Sequence, residues 1–197
     1  MSTTIIVIAA VLIALGVLAA SIAASVLRAW SKAVLAGGGF SVRPLSAEEL
    51  DPFLTDATFT VTARRRFPFP PDKVWDALQL DGTFSWIPLV NGIHYGDDNR
   101  REGAARSFDG VLFACAEKVV TTAPDKRLSV TGTRISLPFV IDAFAQDYRL
   151  DEADGGTILR WTIAFHPRLG GFLPLRWAAP FVKPVMSLSI KGLASRI

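Results

Sequence analysis

The sequence predicts an α+β protein, in which a seven-stranded antiparallel sheet is followed by a C-terminal helix and preceded by a single transmembrane helix. Three observations predict it. No charged side chain occurs from Ile5 to Leu27. From residue 57 onward, short period-two runs alternate with turn-forming residues. Helical patterns follow Pro70-Pro71 and Pro174.

The apolar run comes first. At about 1.5 Å per helical residue it reaches the ~30 Å of a bilayer's hydrocarbon core. A cleaved secretory signal is the competing reading, and Ala23-Ala24-Ser25 offers small residues for it. Such a signal has a basic leading region, however, and Met1-Ser2-Thr3-Thr4 contains no Lys or Arg. Residues 1–32 are therefore expected to be a retained anchor. Arg28, Lys32 and Arg43 follow the span, so the positive-inside bias expects a single-pass chain whose remainder is cytoplasmic.

Residues 33–56 bring Gly37-Gly38-Gly39, Pro44 and Pro52, and are expected to be a linker. Ser46 followed by Glu49 fits a capping box that opens a short helical turn. The three glycines lack the Gly-Lys-Ser/Thr and the preceding strand of a phosphate loop.

Residues 57–197 are expected to form one domain. Phe59, Val61, Ala63 and Phe67 alternate with Thr60, Thr62, Arg64 and Arg66 as a first strand, which Pro68 ends. Pro70-Pro71-Asp72 starts a helix with Val74, Trp75 and Leu78 on its apolar face. A second short helical or turn segment covers Gly82 to Val90. Six further strands are expected at Ile93–Tyr95, Ala104–Phe108, Val111–Thr122, Leu128–Ser136, Ile141–Leu150 and Thr157–His166. The turns between them include Asp109-Gly110, Pro124-Asp125 and Asp154-Gly155-Gly156, so neighbours pair as an antiparallel meander. A terminal helix follows Pro174, interrupted at Pro180 and Pro184.

Composition narrows the function classes. The 50% hydrophobic content owes much to the anchor, and no second uncharged stretch of spanning length exists. Cys115 is the only cysteine, so no internal disulfide can form. The net charge of +3 and pI near 9.3 come without the basic–aromatic interleaving of a nucleic-acid reader. Two histidines and one cysteine, widely spaced, fail every metal template, and no cofactor is expected.

The order of strand, short helices, meander and terminal helix resembles the START-like superfamily, also called SRPBCC, which includes Bet v 1 relatives, polyketide cyclases and dehydratases, and lipid-transport domains. The residues that carry the resemblance are Phe67-Pro68-Phe69-Pro70-Pro71-Asp72-Lys73-Val74-Trp75-Asp76-Ala77-Leu78, then Trp86-Ile87-Pro88, and Gly155-Gly156-Thr157-Ile158-Leu159-Arg160-Trp161. It covers residues 57–197. It implies a helix-grip fold, in which the sheet wraps a long C-terminal helix and leaves an apolar cavity that takes a hydrophobic small molecule.

In the simplest register of the last hairpin, Phe144, Gln146, Tyr148 and Leu150 share a face with Leu159, Trp161, Ile163 and Phe165. The opposite face carries Asp147, Arg149, Arg160 and Thr162 and is expected to be wet. Trp86, Tyr95 and Phe108 are further lining candidates beside Phe144, Trp161 and Ile163, with Gln146, Tyr148 and Arg134 orienting a lipid or polyketide-like ligand. An enzyme of the cyclase or dehydratase kind would need an acid or base in that cavity, for which His94, Tyr95 and Asp142 are the candidates. His166 and Glu117 are expected to be structural, the latter an outward-facing charge. A regulatory or structural partner protein with a closed pocket is the third alternative. The acid-free stretch containing Arg168, Phe172, Arg176, Trp177 and Lys183 suits contact with anionic membrane lipids.

Overall fold

The computed structural model describes residues 3–137, 140–168 and 179–197. Helix α1 spans Thr3–Leu35, and α2 spans Ala47–Asp56. Strand β1 is Phe40–Ser41, β2 Phe59–Phe67, β3 Val90–Tyr95 and β4 Ala105–Gly110. Strand β5 is Ala114–Ala123, β6 Arg127–Ile135, β7 Ile141–Ala153 and β8 Gly156–Pro167. Helix α3 spans Pro71–Gln79 between β2 and β3, and α4 spans Ala179–Leu193 after β8.

The expected meander forms. Strands run in the order β2-β8-β7-β6-β5-β4-β3, all neighbours antiparallel, with β1 added against β6. The first long strand thus closes onto the last, and the sheet curls into a half-barrel. The last hairpin keeps the simplest register, with Phe144 opposite Phe165, Gln146 opposite Ile163 and Tyr148 opposite Trp161. Strand β4 runs on through Asp109-Gly110, because Gly110 pairs with Val90, which moves the turn to residues 111–113.

The concave face is packed by α3 and α4. Phe67, Val74, Leu128, Tyr148, Leu159, Met186, Ile190 and Leu193 form a core that solvent scarcely reaches. Full burial stabilises each such aliphatic side chain by ~1.5–3 kcal/mol. A long C-terminal helix is not seen among the described residues, in which it covers 15 residues, Ala179–Leu193. Pro184 lies inside it and removes one of its hydrogen bonds.

The segment expected as a linker is packed against the sheet, with β1 hydrogen-bonded to the end of β6 and α2 laid on the convex face. Strand β1 pairs Phe40 with Ile135, and Val42, Leu45, Leu50 and Phe53 are buried. Ser46 caps α2 with the reciprocal Glu49 bond of a capping box. Because α2 covers this face, Asp147 is buried there and not in water. It accepts from Arg127 Nε at 2.7 Å, Arg149 Nε at 2.6 Å and Ser129 Oγ at 2.6 Å. Asp51 of α2 binds both arginines from above.

Helix α1 is exposed along its apolar length, yet Ser31 and Val34 near its end are buried against the sheet, and Trp30 meets Phe40 edge-on at 6.1 Å. It is long and apolar enough to cross a bilayer.

Candidate functional site

Between the concave face and α4 lies a cavity of about 420 Å³. Strand alternation decides what faces it. Strand β7 supplies Ile141, Phe144 and Gln146, and β8 supplies Trp161, Ile163 and Phe165. Phe108 of β4, Cys115 of β5 and Val90 and Ile93 of β3 form the opposite wall. Helix α4 roofs it with Val182, Val185, Met186 and Ser189.

The cavity stops at one level on β4, β5, β7 and β8. Beyond Gln146 and Trp161 the next inward residues, Tyr148 and Leu159, belong to solid core. Beyond Phe108 and Cys115 come Arg106 and Glu117, both buried. At the other end Ile141 is half-buried and Val185 is 53% exposed, so no described residue closes the space there. The distance along β7 from Ile141 to Gln146 is roughly 16 Å, at ~3.3 Å per residue.

The blind end is polar. Arg106 Nε donates to Glu117 Oε2 at 2.6 Å, with both side chains essentially inaccessible. Gln146 Nε2 donates to Glu117 Oε1 at 2.5 Å. Gln146 Oε1 accepts from Tyr148 OH at 2.8 Å and Trp161 Nε1 at 3.0 Å. These partners fix the amide's orientation, since an indole nitrogen only donates and an ion-paired carboxylate only accepts. Burial opposes the charge on Arg106, but the attraction of Glu117 prevails and the guanidinium's pKa is raised. Burial pushes the Tyr148 phenol up, and it pushes the Cys115 thiol up with the Glu117 charge adding to it.

Two close approaches shape the walls. A Cβ on Gly132 would lie 1.9 Å from the Phe144 ring, so only glycine lets that ring stand beside β6. Gly192 likewise leaves room for Trp86, whose Nε1 donates to the Ser189 carbonyl at 3.1 Å.

Of the predicted lining residues, Phe108, Phe144, Gln146, Trp161 and Ile163 meet at the cavity. Four do not. Trp86 packs across the end of α4, Tyr95 donates to Gln79 Oε1 at 2.8 Å beneath Arg100, and Tyr148 stacks behind Trp161 at 5.4 Å. Arg134 pairs opposite Ala116 and Ser41 on the convex side. A β-bulge causes this: Ala116 faces Arg134 but Glu117 faces Gly132, so the extra Thr133 reverses the phase of β6.

The catalytic candidates also lie outside the cavity. His94 Nδ1 sits 3.0 Å from Asp81 on the surface, and Asp142 is half-exposed beside Arg168. His166 bonds Thr58 and packs edge-on against Phe53. Of the membrane-contact candidates, Arg168 and Lys183 are exposed, while Phe172, Arg176 and Trp177 lie outside the described residues.

Sequence reasoning missed the Arg106–Glu117 pair, expecting Glu117 to face outward. The signal was present in the alternation: Arg106 shares a period-two face with Phe108, and Glu117 shares one with Cys115 and Val119. Two opposite charges on paired inward positions can be buried together.

Among solved structures, Ara h 8.0201 superposes with a TM-score of 0.57 at 20% identity, over 70% of this chain and 96% of that one. TTHA0849 from Thermus thermophilus gives 0.54 at 16% identity, over 70% and 96%. Aha1 from Colwellia psychrerythraea gives 0.52 at 14%, over 70% and 94%. These likenesses establish the fold. No curated protein sequence matches the chain. The curled sheet, the helix laid in its concavity and the apolar space between them agree with what the sequence profile matches over residues 58–197, and the chain belongs to the polyketide cyclase/dehydrase and lipid transport family.

Proposed function

We propose that this chain is a membrane-anchored binding protein that takes an apolar small molecule, lipid-like or polyketide-like, into the cavity beneath α4. The observation that carries this is the composition of the cavity wall. Its only titratable side chain among the described residues is Cys115, whose raised thiol pKa keeps it protonated at neutral pH. Such a wall favours binding over acid–base chemistry, and burial of ligand surface supplies ~25 cal/mol per Å² before ordering costs.

In this reading residues 1–32 hold the ligand-binding unit at the bilayer, on the cytoplasmic side if Arg28 and Lys32 set the orientation. Residues 33–56 then serve as a packed collar instead of a free tether, because β1 and α2 bind the sheet of the 57–197 unit. The exposed Arg168 and Lys183 are placed to meet anionic membrane lipids.

Native mass spectrometry of the full chain released from detergent micelles tests the proposal. The expected result is one class of apolar adduct, at most one per chain, that disappears from an Ile163→Trp variant whose larger ring fills the cavity. An adduct equally abundant on both proteins, or none on either, refutes it.

A further inference from the structure

The blind end of the cavity has one hydrogen-bond donor left over. Gln146 Nε2 carries two hydrogens, and Glu117 takes one. The second has no partner among the described residues, and the side chain lines the cavity. The amide cannot turn to present its oxygen instead, because Trp161 and Tyr148 both donate to that oxygen and Glu117 accepts from the nitrogen.

The charge behind it is already balanced. Arg106 and Glu117 neutralise each other, and neither borders the cavity. A ligand carboxylate at this point would be a buried anion with no cation in contact, which is strongly unfavourable. A neutral oxygen would satisfy the amide N–H without adding charge.

We infer that Gln146 determines the ligand's orientation and class: the site takes a chain-like apolar molecule whose leading end carries a single neutral oxygen acceptor, a carbonyl or hydroxyl, which bonds the free Gln146 N–H at the blind end. This rests on the cavity being a binding site, as proposed above. The position of the acceptor follows from the geometry, since Gln146 lies at the closed end and, among the described residues, the walls from Phe144 out to Ile141 and Val185 are apolar.

Isomeric ketones test the position of the oxygen while holding size and hydrophobicity constant. Full-length protein in detergent micelles is offered an equimolar mixture of methyl undecyl ketone and dihexyl ketone, one of them deuterated, and bound masses are compared by native mass spectrometry. One net hydrogen bond predicts about fivefold preference for the methyl ketone. Gln146→Leu should equalise the two, and if that variant does not fold, the wild-type competition still decides. Equal occupancy by both isomers overturns the inference while leaving the cavity a binding site. Tridecanoate binding as tightly as the methyl ketone overturns it too, because Arg106 would then be the recognising group. Binding of neither ketone nor tridecane overturns the proposed function itself, and this inference with it.

Discussion

Removing the Glu117 carboxylate strikes the most consequential polar contact in the domain. Glu117→Leu leaves the Arg106 guanidinium, about 1% exposed, without the oxygen that lies 2.6 Å from its Nε. Arg106 Nη2 already has no partner, and the neutral Tyr148 beside the guanidinium cannot replace a carboxylate. The variant also strips the acceptor from Gln146 Nε2 and from the Cys115 thiol. Breaking a buried pair from one side typically destabilises by ~3–5 kcal/mol, because the surviving charge stays desolvated. For a chain of this size, ~2–4 °C per kcal/mol makes the expected loss in melting temperature about 10 °C. Arg106→Met should do comparable damage, but Arg106→Met combined with Glu117→Leu should recover most of it, since no charge is then buried. The assay is thermal unfolding of the full chain in micelles, followed by intrinsic tryptophan fluorescence. If either single variant melts within ~2 °C of wild type, or the double variant is worse than both singles, the account of the pair is wrong.

Gly132→Ala should push the Phe144 ring into the cavity, with an overpacking cost near ~1 kcal/mol, the low end of the usual range because the ring has empty space to enter. Melting should therefore change little while occupancy by an apolar ligand falls, and a large stability loss with unchanged binding would contradict it. Cys115 should react with iodoacetamide more slowly than in the denatured chain, because its raised pKa leaves little thiolate even though it borders the cavity, and alkylation as rapid as in denatured chain would refute this. The hydrogen bond from Arg127 holds the Asp51 carboxyl below its ordinary pKa, against a smaller opposing effect of burial, with Arg149 helping. A lowered folded-state value means stability that is present above the unfolded pKa and lost as pH falls through the folded one. Wild type should consequently lose more stability than Asp51→Asn between about pH 4 and pH 2, and parallel acid titrations would show the ion cluster to be inert.

Period-two patterning was enough to read the sheet. Each inward side chain on β7 and β8 has an outward neighbour, and a short Asp-Gly-Gly turn leaves little choice of register, so Phe144, Gln146, Trp161 and Ile163 were legible on one face. Arg134 was misread for the complementary reason: the bulge at Thr133 is one extra residue in a regular pattern, and no residue type there announces it. The packed collar was hidden by composition. Glycines and prolines mark a chain that bends, but Leu45, Leu50 and Phe53 become buried only because the convex face of a distant sheet offers them a surface, and Val42 only because Cys115, Ile135 and Phe144 meet beside it.

Local physics, then, determined the apolar helix, the strands, their turns and their neighbours, because each depends on residues a few positions apart. The tertiary structure decided where the cavity ends and what waits there. Arg106, Glu117, Gln146 and Trp161 come from four strands, and which of them borders open space depends on how far α4 reaches along the curled sheet. A pattern of alternation assigns a side chain to the inside. Only the packing of helix against sheet settles whether that inside is filled, empty or charged.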